Sequence, residues 1–465
     1  MGRAARYDLK ESPILLRQQT LESNARSYPR RLPIALARAQ GVYVEDTEGR
    51  VFLDCLSAAG TLVLGHNHPE VVAAIERSLQ SGLPMQTLDL TTPVKDEFIA
   101  ALFDALPRSF AAHARIQFCG PTGTDAVEAA LKLVRTATGR KTMLAFHGAY
   151  HGMSQGALGL MGNLGPKIPH DGVLGNVQFL PFPYAYRCPF GLGGAAGESA
   201  SLAYIENVLS DPESGVVPPA GIIVEPVQGE GGVIPASARW LEGLRRIATA
   251  AKVPLIFDEV QTGFGRTGKL FAFEHADVMP DVLVLSKALG GGLPMSVMVY
   301  HEDLDRWQPG AHAGTFRGNQ LAMVAGLATL EIIRRERLDL AARALGERMH
   351  GGLLALKREF ACVGDVRGVG LMLGVELVDA RAGKDRQGHP LASREVARAV
   401  QAACLRRGLI LEVGGRYGAT LRMLPPLIIT ESELDVVLDT IRLALHEVTV
   451  QPGPENLTVR SVSAV

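Results

Sequence analysis

Five short apolar runs, separated by stretches with helical spacing of apolar residues, constrain the fold of this chain more than any other feature. They lie at Ile116–Cys119, Thr142–Phe146, Gly221–Val224, Pro254–Phe257 and Val282–Leu285. Short continuous apolar runs are typical of strands that are buried on both faces, as in parallel sheets covered by helices. We therefore predict an α/β fold with a mostly parallel sheet between helices.

The polar residues that follow these runs predict one shared pocket. In chain order, the runs continue into Gly120–Thr124, His147–Gly152, Glu225, Asp258–Glu259 and Ser286–Lys287. In open α/β sheets, ligands bind beyond the carboxyl ends of the strands. A single polar end would mean little, but five at one edge of a sheet indicate a common site.

Composition favours a small-molecule function. The chain has 465 residues, enough for two packed domains, and a formal net charge of −1. This charge gives no reason to expect nucleic acid or an anionic membrane as a partner. No apolar run is long enough to span a membrane, and the charged segment Met1 to Lys10 does not resemble a secretory signal. The five cysteines are scattered without a CxxC pair, which favours a cytoplasmic location and no metal site.

The order of the patterns predicts two domains. Residues 1–85 would form an N-terminal arm and part of a small domain, residues 86–320 the large domain, and residues 321–465 the rest of the small domain. Locally, we expect a hairpin over 42–54, a strand at Leu371–Leu377, a loose end over the last fifteen residues, and helices over 69–81, 94–106 and 431–447.

Three sequence features suggest the chemistry of the pocket. Gly123 and Thr124 precede a helical run, where they would leave backbone N–H groups for a phosphate, unless Thr124 or Asp125 simply caps the helix. Asp258 either caps the next helix or is a buried anion that keeps a ring nitrogen protonated, as pyridoxal phosphate (PLP) requires. Lys287 is either a surface lysine or a nucleophilic amine whose pKa is lowered by burial at a strand end.

A glycine-rich segment offers a competing interpretation. Gly263–Lys269 matches G-x-G-x-x-G and nearly matches a P-loop. However, Leu270 stands where a P-loop has its magnesium-binding hydroxyl, and no clear helix follows on which a phosphate could sit. A nucleotide-binding function is therefore disfavoured.

Several motifs together resemble the class III (ornithine/4-aminobutyrate-type) aminotransferases from about Glu22 to residue 447. These motifs are Pro-Thr-Gly-Thr-Asp-Ala-Val-Glu-Ala-Ala, Tyr-His-Gly, Glu-Pro-Val-Gln-Gly-Glu-Gly-Gly, Asp-Glu-Val-Gln-Thr-Gly-Phe-Gly-Arg-Thr-Gly and Ser-Lys-Ala-Leu-Gly-Gly-Gly-Leu-Pro. The resemblance implies a fold-type-I PLP-dependent transferase and a homodimer, or a higher oligomer, with active sites at the subunit interface.

The resemblance also implies individual roles. Lys287 matches the Schiff-base lysine, Asp258 the partner of the pyridinium nitrogen, and Gln261 the side chain near the ring hydroxyl. Tyr150 matches the aromatic residue that stacks on the ring. For the phosphate, the matching positions are Gly123 and Thr124 in the same subunit and Thr315 reaching the neighbouring subunit's cofactor.

Within the family, the segments at Glu22–Pro29 and Phe118–Lys132 resemble the diaminobutyrate–2-oxoglutarate branch. That branch transfers the 4-amino group of L-2,4-diaminobutyrate to 2-oxoglutarate and gives L-aspartate 4-semialdehyde and L-glutamate. Met153 replaces an arginine, and Ala59 a tyrosine, that other branches carry. A buried 4-aminobutyrate carboxylate would therefore lack a partner here.

Arg422 matches the family arginine for the carboxylate of the 2-oxo acid, and Glu230 the glutamate that covers it when no carboxylate is present. The alternative is a purely structural ion pair. Tyr28 is a candidate for the diaminobutyrate head group or a packing residue. Other ω-aminotransferase specificities (ornithine, lysine or 4-aminobutyrate), a PLP aminomutase and a nucleotide-binding protein remain the alternative functions.

Overall fold

The structure, a computed structural model, describes residues 6–9, 12–170 and 175–450. The predicted loose C-terminal end and most of the charged first segment lie outside these described residues. None of the described helices combines the length and the apolar character needed to cross a bilayer.

The elements of the described chain are as follows. The α-helices are α1 Pro13–Leu21, α2 Ser57–Gly60, α3 Pro69–Gln80, α4 Pro93–Ala105, α5 Arg108–Ala111, α6 Gly123–Thr138, α7 Gln155–Gly159, α8 Gly194–Ser210, α9 Ala238–Ala250, α10 Gln320–Arg335, α11 Leu338–Glu359, α12 Arg394–Leu405 and α13 Glu431–Val450. The strands are β1 Leu36–Gln40, β2 Tyr43–Asp46, β3 Val51–Asp54, β4 Ala114–Phe118, β5 Met143–Phe146, β6 Val177–Leu180, β7 Gly221–Val224, β8 Val227–Gln228, β9 Ile234–Pro235, β10 Leu255–Asp258, β11 Val282–Leu285, β12 Val297–His301, β13 Val363–Val369, β14 Met372–Lys384, β15 Pro390–Ala392, β16 Leu409–Ile410, β17 Glu412–Gly414 and β18 Thr420–Met423. Single 3₁₀ turns cover Tyr28–Arg30, Ile168–His170, Ala272–His275, Lys287–Gly290, Glu302–Leu304, Thr315–Gly318 and Arg416–Gly418.

A seven-stranded sheet in the order β4-β12-β11-β10-β7-β5-β6 forms the centre of the protein. Strands β11, β10, β7, β5 and β6 are parallel, whereas β12 is antiparallel to both of its neighbours. The five apolar runs form β4, β5, β7, β10 and β11, so the predicted mostly parallel sheet between helices is confirmed. Two of its strands, β6 and β12, were not predicted.

The inner strands β5, β7, β10 and β11 are buried on both faces, and their alternate side chains point to opposite sides of the sheet. On one side Ile256 and Val284 pack with Ala126 and Val127 of the helix α6. On the other side Phe257 belongs to the larger core. Strands buried in this way cannot present a polar side chain along their length, so the polar residues are restricted to their ends.

The two ends of the chain combine in a second, four-stranded sheet of order β1-β2-β3-β16. The hairpin predicted over 42–54 is formed by β2 and β3, and β16 from the C-terminal region pairs with β3 in parallel. A third sheet contains β13, β14, β18, β17 and β15. The predicted helices over 69–81, 94–106 and 431–447 correspond to α3, α4 and α13, and the strand at Leu371–Leu377 to the first part of β14. The boundaries proposed for the two domains stay a prediction.

Helix α11 contains a glycine that permits a close backbone contact, and this gives a stability prediction. An alanine Cβ at Gly346 would lie 2.2 Å from the carbonyl oxygen of Gly370, so Gly346→Ala must displace backbone. We expect a loss of about 1–3 kcal/mol, seen as a lower melting temperature. Gly351 lies in the same helix with no heavy atom near its Cβ position, so Gly351→Ala should raise stability by about 0.5–1 kcal/mol. Equal shifts in melting temperature for Gly346→Ala and Gly351→Ala would contradict this packing argument.

Candidate active site

A cavity of about 280 Å³ lies at the carboxyl edge of the central sheet. The registers of β7, β10 and β11 place Val224, Phe257 and Leu283 side by side, which brings the polar residues after these strands together. Of the ten residues given a role from the sequence, seven line this cavity: Gly123, Thr124, Tyr150, Glu230, Asp258, Gln261 and Lys287. The expectation of one shared pocket is therefore met.

Lys287 starts the 3₁₀ turn that directly follows β11, and its φ of +48° lies in the left-handed region that non-glycine residues rarely adopt. Such conformations cluster at functional sites. Burial lowers the pKa of the Lys287 amine, although the negative charge of Glu230 acts in the opposite direction. The amine is therefore more readily available in its neutral, nucleophilic form than a surface lysine.

Asp258 ends β10 as a buried carboxylate held by two donors. Its Oδ2 lies 2.7 Å from Nδ1 of His151, and its Oδ1 accepts a hydrogen bond from the Val260 N–H at 3.1 Å. The pKa of His151 is raised: its burial opposes the shift, but the hydrogen bond and the charge of Asp258 outweigh burial. This pairing fixes the orientation of the Asp258 carboxylate at the end of β10.

His151 is a residue that the sequence analysis missed. It is buried, and its Nε2 has no hydrogen-bond partner among the described residues. The signal was present in the Tyr-His-Gly motif, where only the tyrosine was given a role. The structure assigns the histidine to the orientation of Asp258.

Glu225, the polar residue after β7, fixes the position of Tyr150. Its two carboxylate oxygens accept hydrogen bonds from the Tyr150 N–H and the Gly229 N–H, each at 2.9 Å. Burial raises the pKa of Glu225 to about 7. Tyr150 therefore has a fixed backbone at the cavity wall, while its ring remains partly exposed.

The start of α6 lies at the wall of the cavity. The N-cap residue is Thr122, and no side chain caps the helix. The Thr124 hydroxyl instead lies 2.6 Å from the Ser154 hydroxyl, and Asp125 accepts a hydrogen bond from the Gly120 N–H, so the capping alternative is wrong for both residues. The Asp125 N–H donates to the Thr122 carbonyl at 3.0 Å, whereas the Gly123 and Thr124 N–H groups have no acceptor among the described residues and can bind an anion.

Arg422 is the centre of a buried ionic network. Its Nη1 donates to Glu230 Oε1 at 2.6 Å and to Glu412 Oε2 at 3.1 Å. The side chain of Arg422 is 0% exposed, whereas that of Glu230 is 35% exposed. Burial alone would raise the pKa of Glu230, but the charge of Arg422 lowers it, so the pair is ionised. Glu230 therefore lies between the buried arginine and the cavity.

Two further side chains attach to this network. Gln261 donates through Nε2 to the Ala59 carbonyl at 2.9 Å and accepts through Oε1 from Arg422 Nη2 at 3.2 Å. The Tyr28 hydroxyl donates to Glu412 Oε1 at 3.0 Å, and burial raises the pKa of that hydroxyl. Tyr28 thus reaches Arg422 through Glu412, a carboxylate that the sequence analysis did not identify.

Thr315 lies apart from the walls of this cavity. It starts the exposed 3₁₀ turn Thr315–Gly318. Its role toward a neighbouring subunit's phosphate stays a prediction, as do the individual roles of the residues that line the cavity.

The glycine-rich segment Gly263–Lys269 is used structurally. Arg266 within it is fully buried and donates to the carbonyls of Leu371 and Pro425. The next regular element is the short 3₁₀ turn Ala272–His275 rather than a helix. The segment therefore lacks the context of a nucleotide site.

The groups that line this cavity fit pyridoxal phosphate. A buried amine for the aldehyde, a buried carboxylate for the ring nitrogen and an uncapped helix start for the phosphate line one cavity. At Gly123 an added Cβ would lie 3.0 Å from both methyl groups of Val260, so the backbone at the cradle leaves no room for a side chain.

Comparisons with known proteins agree with this site. The family model Aminotransferase class-III matches residues 24–445. A diaminobutyrate–2-oxoglutarate aminotransferase from Rhizobium meliloti (strain 1021) is 56% identical over 432 residues, which cover 92% of each chain. A protein of the same name from Haemophilus influenzae is 50% identical, over 90% of this chain and 92% of the relative.

Solved structures show the same architecture. An amine transaminase from an uncultivated Pseudomonas species, in a PLP-bound form, matches with a TM-score of 0.81 and 29% identity, over 92% of this chain and 97% of the other. The ornithine aminotransferase from Toxoplasma gondii matches with a TM-score of 0.78 and 25% identity, over 94% and 95% of the two chains. The expected fold-type-I architecture is thereby confirmed, and the chain belongs to the class III aminotransferase family.

Proposed function

We propose that this chain transfers the 4-amino group of L-2,4-diaminobutyrate to 2-oxoglutarate, with pyridoxal phosphate as cofactor. The products are L-aspartate 4-semialdehyde and L-glutamate, and the reaction is reversible. The observation that carries the proposal is the Arg422–Glu230 pair, 2.6 Å long, in which one partner is buried and the other reaches the cavity. The names of the two relatives from Rhizobium meliloti and Haemophilus influenzae support the choice of substrates.

When bound, pyridoxal phosphate supplies an aldehyde that accepts the amino group and a ring that withdraws electrons from the reacting carbon. Lys287 would hold the aldehyde, and its amine would move a proton away from the reacting carbon. Asp258, oriented by His151, keeps the ring nitrogen protonated through its negative charge. The uncapped start of α6 binds the phosphate.

The pocket must accept two substrates that differ at the reacting carbon. Glutamate carries a carboxylate there, whereas diaminobutyrate reacts at a carbon that carries only its methylene chain. Glu230 neutralises Arg422 when diaminobutyrate is bound, because a buried arginine without a partner would be costly. When the 2-oxo acid binds, its carboxylate takes the place of Glu230 and forms the bidentate pair that arginine favours.

The wall of the cavity near Met153 limits which group the distal end of the substrate can carry. Met153 lines the cavity and is 54% exposed, so this wall offers no cation for a distal carboxylate. Ala59 contributes its carbonyl to Gln261 rather than a side chain to the substrate. A substrate such as 4-aminobutyrate would leave its carboxylate unpaired at this wall.

The two half-reactions should respond differently to Arg422→Ala. We expect the 2-oxoglutarate half-reaction to fall by about 100-fold or more in rate constant over KM, because a buried charge pair with the substrate carboxylate is lost. The diaminobutyrate half-reaction should change by less than about ten-fold. Single-turnover absorbance measurements with each substrate separate the two.

Arg335→Ala serves as the control because Arg335 is exposed and pairs only with the surface carboxylates Glu70 and Glu336 among the described residues. The double variant Arg422→Ala/Glu412→Gln removes the carboxylate that would be left buried without its cation. If the double variant lost the same factor in rate constant over KM in both half-reactions, the proposed switch would be wrong. Arg422 and Glu230 would then form a purely structural ion pair.

A panel of amine donors tests the function itself. We expect diaminobutyrate to be consumed faster than ornithine, lysine or 4-aminobutyrate, only with 2-oxoglutarate present, and with glutamate and aspartate 4-semialdehyde as products. If another ω-amine were consumed faster, that amine would be the preferred donor and the proposed specificity would be wrong. Rearrangement of an amino substrate without 2-oxoglutarate would identify an aminomutase.

We also propose that the chain forms a homodimer, or a higher oligomer built from it, in the cytoplasm. The segment 85–90 runs beside 317–320 through the Thr87–Gly318 and Gln320–Met85 hydrogen bonds, and it exposes large apolar side chains next to Thr315. These side chains are Met85, Leu88 and Leu90; like Phe316 in the Thr315 turn, each is more than half exposed. Light scattering coupled to gel filtration tests the assembly. The five cysteines, all unpaired, agree with a reducing compartment.

A further inference from the structure

The turn that carries Thr315 is exposed but rigidly attached. Thr315 and Phe316 form its tip, and the Phe316 side chain is 59% exposed. Behind the tip, Arg317 folds back: its Nη1 donates to the His312 carbonyl at 2.7 Å, and its Nη2 donates to Asp89 at 2.6 Å. The turn therefore has a defined shape, and His312 marks its base.

His312 connects this base to the phosphate helix of the same chain. Its Nε2 lies 3.1 Å from Asp125 Oδ2, and its Nδ1 lies 3.3 Å from the Lys132 ammonium group. Because an ammonium group can only donate, Nδ1 accepts and the proton resides on Nε2, which donates to Asp125. The hydrogen bond from His312 lowers the pKa of Asp125, so the contact is charge-assisted.

Both of these partners belong to α6, the helix whose first N–H groups face the cavity. Asp125 also accepts from the Gly120 N–H in the loop before the helix, so one carboxylate ties together the loop, the helix and His312. The His312 side chain is 8% exposed. A buried side chain bonded at both ring nitrogens fixes the base of the Thr315 turn to α6.

The same cluster could suggest a metal site, since Cys119, Asp125 and His312 bring three potential ligand atoms within 4.8 Å of one another. Two observations argue against this. Burial raises the pKa of the Cys119 thiol, so it stays protonated. The Lys132 ammonium group lies against the second nitrogen of His312, where a metal-bound histidine normally has a carboxylate or carbonyl partner.

We propose that His312 is a positioning residue that holds the Thr315 turn in place for the cofactor site of the partner subunit. This inference rests on the proposed cofactor and dimer. It links the two sites of the dimer, because the helix that binds one phosphate also anchors the turn that reaches the other. Loss of His312 should weaken cofactor binding in the partner rather than in its own subunit.

Homodimeric variants give the first test. His312→Leu should weaken pyridoxal phosphate binding by about ten-fold, the change expected when one hydrogen bond to a charged group is lost. His312→Gln places an N–H at the reach of the histidine Nε2 and should restore most of the affinity. His113→Leu removes another histidine–carboxylate pair, with Glu302, that lies before β4 at the opposite edge of the sheet, and should change nothing. The readout is titration of the apoenzyme, with the melting temperature as a check on folding.

Mixed dimers decide which subunit is affected. When one subunit carries His312→Leu and the other Lys287→Ala, the single site that retains Lys287 receives an intact Thr315 turn, and its affinity should be that of the wild type. When both changes are on one subunit beside a wild-type chain, the site that retains Lys287 receives the loosened turn and should bind about ten-fold more weakly. Cofactor trapped at Lys287 by borohydride, measured over a range of concentrations, reports that site alone.

Each outcome is informative. The reverse pattern would mean that His312 supports the phosphate helix of its own subunit, and equal affinities in the two mixed dimers would mean that it positions nothing across the interface. Either result overturns the inference and leaves the proposed function standing. A wild-type protein that binds no cofactor or stays monomeric would overturn the proposed function as well.

Discussion

Replacing Lys287 by alanine is expected to lower the rate of transamination by about 10⁴-fold or more, the largest effect of any single substitution. Proton transfer by a positioned base alone contributes about 10²–10⁴-fold, and the same amine also holds the aldehyde. None of the other described residues that line the cavity can replace it, because the titratable ones are carboxylates, a tyrosine and a histidine bonded to Asp258.

The measurement is kcat with diaminobutyrate and 2-oxoglutarate, together with the visible absorbance of the bound cofactor before and after borohydride. Lys287→Ala should bind the cofactor without trapping it. Lys269→Ala is the matched control, since Lys269 is exposed and ends the glycine-rich segment that imitates a nucleotide site. If the colour and the turnover of Lys287→Ala matched those of the wild type, the site would have been misidentified.

The inner parallel strands of the central sheet could be predicted because burial on both faces gives them an unbroken apolar run. Two strands of this sheet, β6 and β12, could not be predicted in this way. In β6, at the edge of the sheet, Val177, Gln178 and Phe179 are only half-buried, so the run is interrupted. In β12 the run is apolar, but it is antiparallel to its neighbours, so no polar pocket residue follows its carboxyl end.

The site residues at the ends of strands were predictable from the sequence. The contacts between segments that are distant in the sequence were less so. Asp258 ends β10 and Lys287 lies two residues after the end of β11, so the fold class alone placed them. Glu412 stands opposite Arg422 in the β17–β18 ladder, a cross-strand pair that a hairpin assignment would have revealed. The bond between Glu412 and Tyr28 joins residues 384 positions apart, and no local pattern contains it.

Asp258→Asn is expected to lower kcat by about 10²–10³-fold while cofactor binding is largely preserved. The amide has the shape of the carboxylate but no charge. His151 donates from Nδ1, so the amide oxygen of the asparagine should turn toward it and the NH₂ group toward the ring nitrogen. The ring nitrogen would then have to accept a hydrogen bond, lose its proton and withdraw electrons less effectively.

Two comparisons separate this charge effect from a packing defect. Asp281→Asn changes a strand-end aspartate at the opposite edge of the sheet, where it bonds to Arg245 and the Leu255 N–H, and it should affect stability rather than kcat. Asp258→Glu keeps the charge and should retain more activity than Asp258→Asn. If Asp258→Asn kept the wild-type rate, the ring nitrogen would need no anion, and His151 and Asp258 would form a structural pair at the end of β10.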